Sequence, residues 1–218
     1  MWVAVNKPLF SLCVVLLFNL AYHGYAESCP EDIRASEWGR EAVFTKGRLA
    51  FQSLAGVLHS PVLINRHWHD INYYQANARL GVMLTDPKGR KHFPRGNTEG
   101  IIEFTHSDVL EDGGDFISGI TCLLRCNFVS PHSKLFPYIQ AGAGVVYDDI
   151  YKDRSQSLVG QSIEFTLRGG AGARFLVADN WSIDVEGTFE HISCAGMSDR
   201  NGGINAGGAF IGFTRYFL

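Results

Sequence analysis

The fold this sequence predicts is an eight-stranded antiparallel transmembrane β-barrel of the outer-membrane type. Three observations predict it. Apolar and polar residues alternate with period two in eight segments, an even number, as bacterial outer-membrane barrels require. The segments are separated by short stretches of turn chemistry such as Asp86-Pro87-Lys88-Gly89, Glu111-Asp112-Gly113-Gly114 and Ala178-Asp179-Asn180. The polar faces are rich in glycine with isolated charges, whereas a soluble barrel would carry a Lys- and Glu-rich outside and an apolar inside.

The elements follow in chain order. Arg48 to Leu58 is a weaker alternating segment, and Tyr73 to Leu84 is a clear one, with Tyr74, Ala76, Ala78, Leu80, Val82 and Leu84 opposing Gln75, Asn77, Arg79 and Gly81. Gly100 to Leu110 is the third. In Phe116 to Phe128 the residues Phe116, Ile120, Cys122, Leu124, Cys126 and Phe128 stand opposite Gly119, Thr121, Arg125 and Asn127. Phe136 to Asp148 is the fifth. Gln161 to Phe175 is the strongest, its odd positions apolar from Ile163 to Phe175 and its even positions polar or glycine from Ser162 to Arg174. Trp181 to Ser193 and Asn205 to Phe217 complete the set. Each is long enough to cross a bilayer as a tilted strand.

The charges Arg79, Glu103, Arg125, Glu164, Arg168, Arg174, Asp184, Glu186 and Glu190 fall on the polar faces and are expected to pair inside a filled barrel without an open channel. Tyr73, Tyr74, Phe116, Phe128, Phe136, Tyr138, Tyr147, Trp181, Tyr216 and Phe217 lie near segment ends and are expected to form interfacial girdles.

Residues 1–26 read as a secretory signal peptide, with Lys7 before an apolar run from Leu9 to Leu20 and a small-residue cleavage signal at Gly24-Tyr25-Ala26. Residues 27–218 are then a single barrel domain with a short periplasmic N-terminal segment. Cys29, Cys122, Cys126 and Cys194 remain after export, and their spacing chooses no pairing, although Cys122 and Cys126 are roughly 13 Å apart along a strand and cannot join each other. A net charge of -3 with scattered charges offers no nucleic-acid surface. No cysteine cluster has zinc spacing, and His67-Trp68-His69-Asp70 lacks further ligands nearby, so it reads as an outer loop. Lys152, Arg154 and Arg200 read as solvated loop charges, with phosphate contact as the alternative.

With both termini periplasmic, the seventh segment runs outward. His191 and Ser193 share its lipid-facing side with Ile183, Val185 and Phe189, close to the outer rim. Polar residues on that face cost energy unless interface depth or a task accounts for them. An imidazole two residues from a serine on one strand face is placed to take the hydroxyl proton.

Phe189-Glu190-His191-Ile192-Ser193-Cys194-Ala195-Gly196, followed by Asp199-Arg200-Asn201-Gly202-Gly203-Ile204-Asn205, resembles the C-terminal signature of the outer-membrane lipid A 3-O-deacylase family. The likeness extends to Arg125-Cys126-Asn127-Phe128, to Pro137 through Gly144 and to the glycine-rich stretch Arg168 to Arg174. It implies an eight-stranded barrel that hydrolyses the ester-linked acyl chain at position 3 of lipid A, the anchor of lipopolysaccharide in the outer leaflet. Ser193 would be the nucleophile and His191 the general base. Asn205 stands where the family has an acidic residue that orients the histidine, with Asp199 as the alternative; Glu186 and Glu190 point inward by parity. Cys194 stands where the family has an asparagine of the oxyanion hole, leaving the N–H groups of Ala195 and Gly196 for that task. This chemistry needs no cofactor or metal. The alternatives are a catalytically inactive barrel that stabilises the envelope or binds lipopolysaccharide, and an adhesin-like barrel acting through its loops. Whether the chain forms a homodimer is left open.

Overall fold

In the computed structural model, residues 40–60, 71–89, 95–110, 113–130 and 133–217 are described. They form eight strands: β1 (Leu49–Ser60), β2 (Ile71–Met83), β3 (Gly96–Val109), β4 (Phe116–Phe128), β5 (Leu135–Asp148), β6 (Ile163–Ala178), β7 (Trp181–Ser193) and β8 (Ile204–Phe217). Each pairs antiparallel with its sequence neighbour, and β8 returns to β1, so the sheet closes with no free edge. Closure satisfies the backbone internally, which is the condition for strands to cross hydrocarbon. The segment expected to be a cleaved leader, Cys29, and the His67 to Asp70 stretch lie outside the described residues.

Alternation becomes two surfaces. Leu80, Ile102, Leu124, Ile139, Leu167, Val185 and Ile211 are each about half exposed or more on the outside, as a lipid-facing wall requires. Cys122 and Cys126 share that outer face as free thiols. Inside, seven of the nine expected charges pair in a ladder, whereas Glu164 accepts from the N–H groups of Gly160 and Gln161, and Asp184 from the side chains of Gln52, Ser182 and Thr214. Glu190 and Glu103 both accept from Arg168 at 2.7 Å, and Arg79 spans from Glu103 at 2.5 Å to Glu186 at 2.6 and 2.8 Å. Below it, Arg174 meets Glu99 at 2.9 Å, and the Arg125 guanidinium lies 4.2 Å from the centre of the Tyr138 ring. Such pairing offsets the desolvation of each ion, and it fills the lumen.

Four expected girdle residues lie elsewhere. Tyr73, Phe136, Tyr138 and Tyr216 are at most 2% exposed and face inward. Strand parity puts them on the polar side, where large rings fill space between and beyond the ion pairs. Gly172 makes room for one of them, since a Cβ there would lie 2.5 Å from the Tyr138 ring. Tyr74, Phe116 and Tyr147 do lie on the outer face, as expected.

Both mouths are closed by apolar clusters. At the end where β1 starts and β8 finishes, a single 3₁₀ turn, Ala42–Phe44, lays Phe44 against Phe136 and Tyr216, with ring centres 4.7 and 5.9 Å apart. At the outer end the β5–β6 connection folds back over the lumen and buries Ile150, Leu158 and Val159 against Leu54, Leu58, Ile192, Ile204 and Phe210. That plug also supports the loop that follows β7.

Candidate active site

β7 ends at Ser193, and β8 begins at Ile204, so His191 and Asn205 face each other directly in the register. Both side chains, with that of Ser193, are half-buried on the lipid-facing side. The imidazole bridges its neighbours: Nε2 is 3.0 Å from Ser193 Oγ, and Nδ1 is 2.7 Å from Asn205 Oδ1. Because an amide oxygen only accepts, the Asn205 bond keeps the proton on Nδ1 and leaves Nε2 free to accept from the serine hydroxyl. Serine, histidine and asparagine thus stand in the bond pattern of a nucleophile, a base and an orienting group.

Local backbone geometry builds the rest. Cys194 to Met197 is a tight turn closed by the Met197 N–H donating to the Cys194 carbonyl at 3.1 Å. Its central residues, Ala195 and Gly196, both have positive φ, 52° and 83°. A left-handed alanine costs on the order of 1 kcal/mol, a strain of the kind found at functional turns. Among the described residues the N–H groups of Ala195 and Gly196 meet no acceptor, and they lie two and three residues after Ser193. Gly203, also at positive φ, approaches the other side of the ring, where a Cβ would stand 3.0 Å from His191 Cε1.

The loop of residues 194–203 is tied to the outer plug. Gly202 and Gly203 donate to the carbonyls of Ser157 and Leu158 at 2.9 and 2.8 Å. The Arg200 guanidinium donates to the carbonyls of Asp153 and Tyr151, each at 2.8 Å, and of Gln156 at 3.4 Å. Arg200 is therefore a clamp between two loops and not the solvated charge expected of it. The fork of a guanidinium suits several carbonyls at once.

The sequence profile of the lipid A 3-O-deacylase family (PagL) matches residues 72–214, most of the described barrel. The chain belongs to that family. No curated protein matches it. Among solved structures, Neisserial surface protein A is similar in fold, with a TM-score of 0.56 at 14% identity over 78% of this chain and 97% of that one. The outer membrane enzyme PagL is 21% identical over 73% of this chain and 97% of that one, with a TM-score of 0.48. The outer membrane protein OprG from Pseudomonas aeruginosa gives 12% identity and a TM-score of 0.47, covering 79% and 97%. Membership of the deacylase family and the closed barrel together make this chain an outer-membrane protein.

Within this deacylase scaffold, the geometry revises two expectations drawn from the signature. The Cys194 side chain does not face the serine; it is fully buried, with its thiol 4.0 Å from the Ser198 carbonyl. The Cys194 N–H is engaged too, donating to Asn201 Oδ1 at 3.0 Å, so neither group is available to a developing oxyanion. Asp199 is not the partner of His191, because Asn205 occupies Nδ1. Glu186 and Glu190 point inward as parity required, into the Arg79 and Arg168 pairs. Gly203, Asn201 and Arg200 fall within the stretch that resembles the family signature, but their roles carry no signal in the sequence, since each acts through partners fixed only by folding. Among the described residues no cluster of His, Cys, Asp and Glu could hold a metal ion.

Proposed function

We propose that this barrel is a serine esterase that removes the ester-linked 3-hydroxyacyl chain at position 3 of lipid A. The observation that carries the reading is the pair of bonds from one imidazole, 3.0 Å to Ser193 and 2.7 Å to Asn205, on the lipid-facing wall at the outer rim. Ser193 attacks the ester carbonyl while His191 Nε2 takes its proton. The N–H groups of Ala195 and Gly196 are the candidate donors to the tetrahedral oxyanion, a contribution typically worth about 10²–10³ in rate per donor. His191 then protonates the sugar oxygen as it leaves. Water, activated by the same imidazole, releases the fatty acid from Ser193.

Asn205 holds the imidazole tautomer without a negative charge. It therefore orients the base but does not stabilise imidazolium electrostatically, a division of labour known from cysteine–histidine–asparagine hydrolases. The intact bond supports an active site over a barrel that has lost one. Lipid A would reach Ser193 by lateral diffusion in the outer leaflet, because the hydroxyl opens sideways and not into the lumen. The proposal includes export through removal of residues 1–26 and requires no cofactor.

The test is fatty-acid release from lipopolysaccharide by the purified, refolded protein. Wild type is expected to liberate the 3-hydroxy fatty acid of position 3, and Ser193→Ala to leave that ester intact while keeping the heat-shifted electrophoretic mobility of a folded barrel. Equal release by both proteins would remove Ser193 from the reaction.

A further inference from the structure

The outer rim carries a second nucleophile-and-base juxtaposition on the far wall of the barrel, four strands round from His191. His106, near the outer end of β3, stands directly across from Ser118 of β4. Its Nδ1 lies 2.7 Å from Ser118 Oγ. Two residues further along β3 and on the same face, Asp108 Oδ1 lies 3.6 Å from the other ring nitrogen, Nε2. The three share the outer wall with Ile102, Phe104 and Ile120, which are each about half exposed. A polar trio in that position costs energy in contact with lipid unless it is satisfied or used.

The surroundings fix its geometry. The Phe116 ring stacks on His106, with centres 6.3 Å apart and planes at 25°, and holds the imidazole plane. The Asp108 side chain is only 11% exposed, against 35% for His106, so the carboxylate is sheltered and the ring remains accessible. Along the same rows, Tyr147 of β5 lies across from Ser118 and Tyr74 of β2 across from Asp108, both with exposed side chains. A tyrosine hydroxyl beside a serine nucleophile is a known kind of oxyanion donor.

We propose that Ser118, His106 and Asp108 form a second ester-reactive serine site, directed at an acyl ester of an outer-leaflet lipid. His106 works in the opposite sense from His191: Nδ1 is the base, and the Nε2–H turns toward Asp108. The Ser118 hydroxyl gives its proton to Nδ1 as Oγ bonds to the acyl carbon. The carbon–oxygen ester bond then breaks, and the Nδ1 proton goes to the leaving alkoxide. A water that loses its proton to the same nitrogen attacks the acyl-serine, and that proton passes to Ser118 Oγ as the fatty acid leaves. The contact of 3.6 Å is longer than a hydrogen bond, and unliganded catalytic contacts commonly tighten when substrate binds. Tyr147 is the candidate donor to the oxyanion, since the strand N–H groups here serve the ladder.

This site is independent of the Ser193 reading, and its test keeps the two apart. Folded Ser193→Ala protein in lipid vesicles is treated with a long-chain alkyl fluorophosphonate, and the adduct is located by mass spectrometry of peptides. The phosphonyl mass is expected on Ser118, absent after a further Ser118→Ala change, and forming at least about tenfold more slowly with His106→Ala or Asp108→Asn. Asp108→Asn keeps the shape of the side chain, so slower labelling there reports the orienting charge and not packing. Slow hydrolysis of a p-nitrophenyl acyl ester by the Ser193→Ala protein is expected to disappear with Ser118→Ala. Unmodified Ser118 in the folded protein, or labelling indifferent to His106, overturns the proposal. Wild type carries its own control: an adduct on Ser193 with none on Ser118 removes the second site and leaves the deacylase reading intact.

Discussion

Asn205 holds the His191 imidazole with an uncharged acceptor, and in the proposed mechanism that sets the expected sensitivity of the site. Its oxygen accepts at 2.7 Å, so the tautomer is held by a neutral bond. A charged acceptor is worth about 1–1.5 kcal/mol more than a neutral one, which corresponds to roughly tenfold. Asn205→Asp should therefore raise kcat by about tenfold, and Asn205→Ala should lower it by about 10² or more, both read by fatty-acid release from lipopolysaccharide. A slower Asn205→Asp enzyme would show that the neutral acceptor is itself required. Cys194 makes the opposite prediction. Its side chain is buried behind the turn, so Cys194→Ser should change turnover by no more than about threefold, with the cost appearing as about 1 kcal/mol of stability in urea titrations.

Between strands the site depends on two loops that hold each other. Arg200 donates to carbonyls of Tyr151, Asp153 and Gln156, and thereby fixes the turn that presents the Ala195 and Gly196 N–H groups. Arg200→Ala should lower kcat more than it raises KM if, as proposed, it displaces groups that act on the transition state, and should cost about 1–3 kcal/mol in unfolding free energy. Arg200→Lys should recover only part of the activity, since an ammonium cannot reproduce the fork. Strands are legible in the sequence where these loops are not. Period two marks β6 and β7 with little error, and parity alone assigns His191, Ser193 and Asn205 to the lipid-facing side. Parity also requires Tyr73 and Tyr138 to face inward, but their position near strand ends suggests girdles, and only the packed lumen shows what they fill. Loop contacts such as Arg200 to Tyr151 join residues nearly fifty apart and have no periodicity to betray them. The His106 and Ser118 pairing is of the same kind, because it exists only once the β3–β4 register is set.

Across the whole barrel, the wall is apolar outside and the lumen is a ladder of ions that cannot be shortened by one. Glu103 lies between Arg79 and Arg168, with contacts of 2.5 and 2.7 Å. Glu103→Gln leaves two guanidinium groups short of charge and should cost about 3–5 kcal/mol, seen as a lower urea midpoint in folded vesicle-inserted protein. The same change should leave the bonds of His191 in place, so activity per folded molecule should survive.

Lipid A mass spectrometry from a Gram-negative host producing this protein, beside one producing Ser193→Ala, decides whether the barrel is a deacylase. The expected result is loss of one 3-hydroxyacyl mass from lipid A with wild type and none with the variant, both barrels being folded in the outer membrane. Unchanged lipid A with folded wild-type protein would contradict the esterase assignment and make the barrel a non-catalytic member of its family.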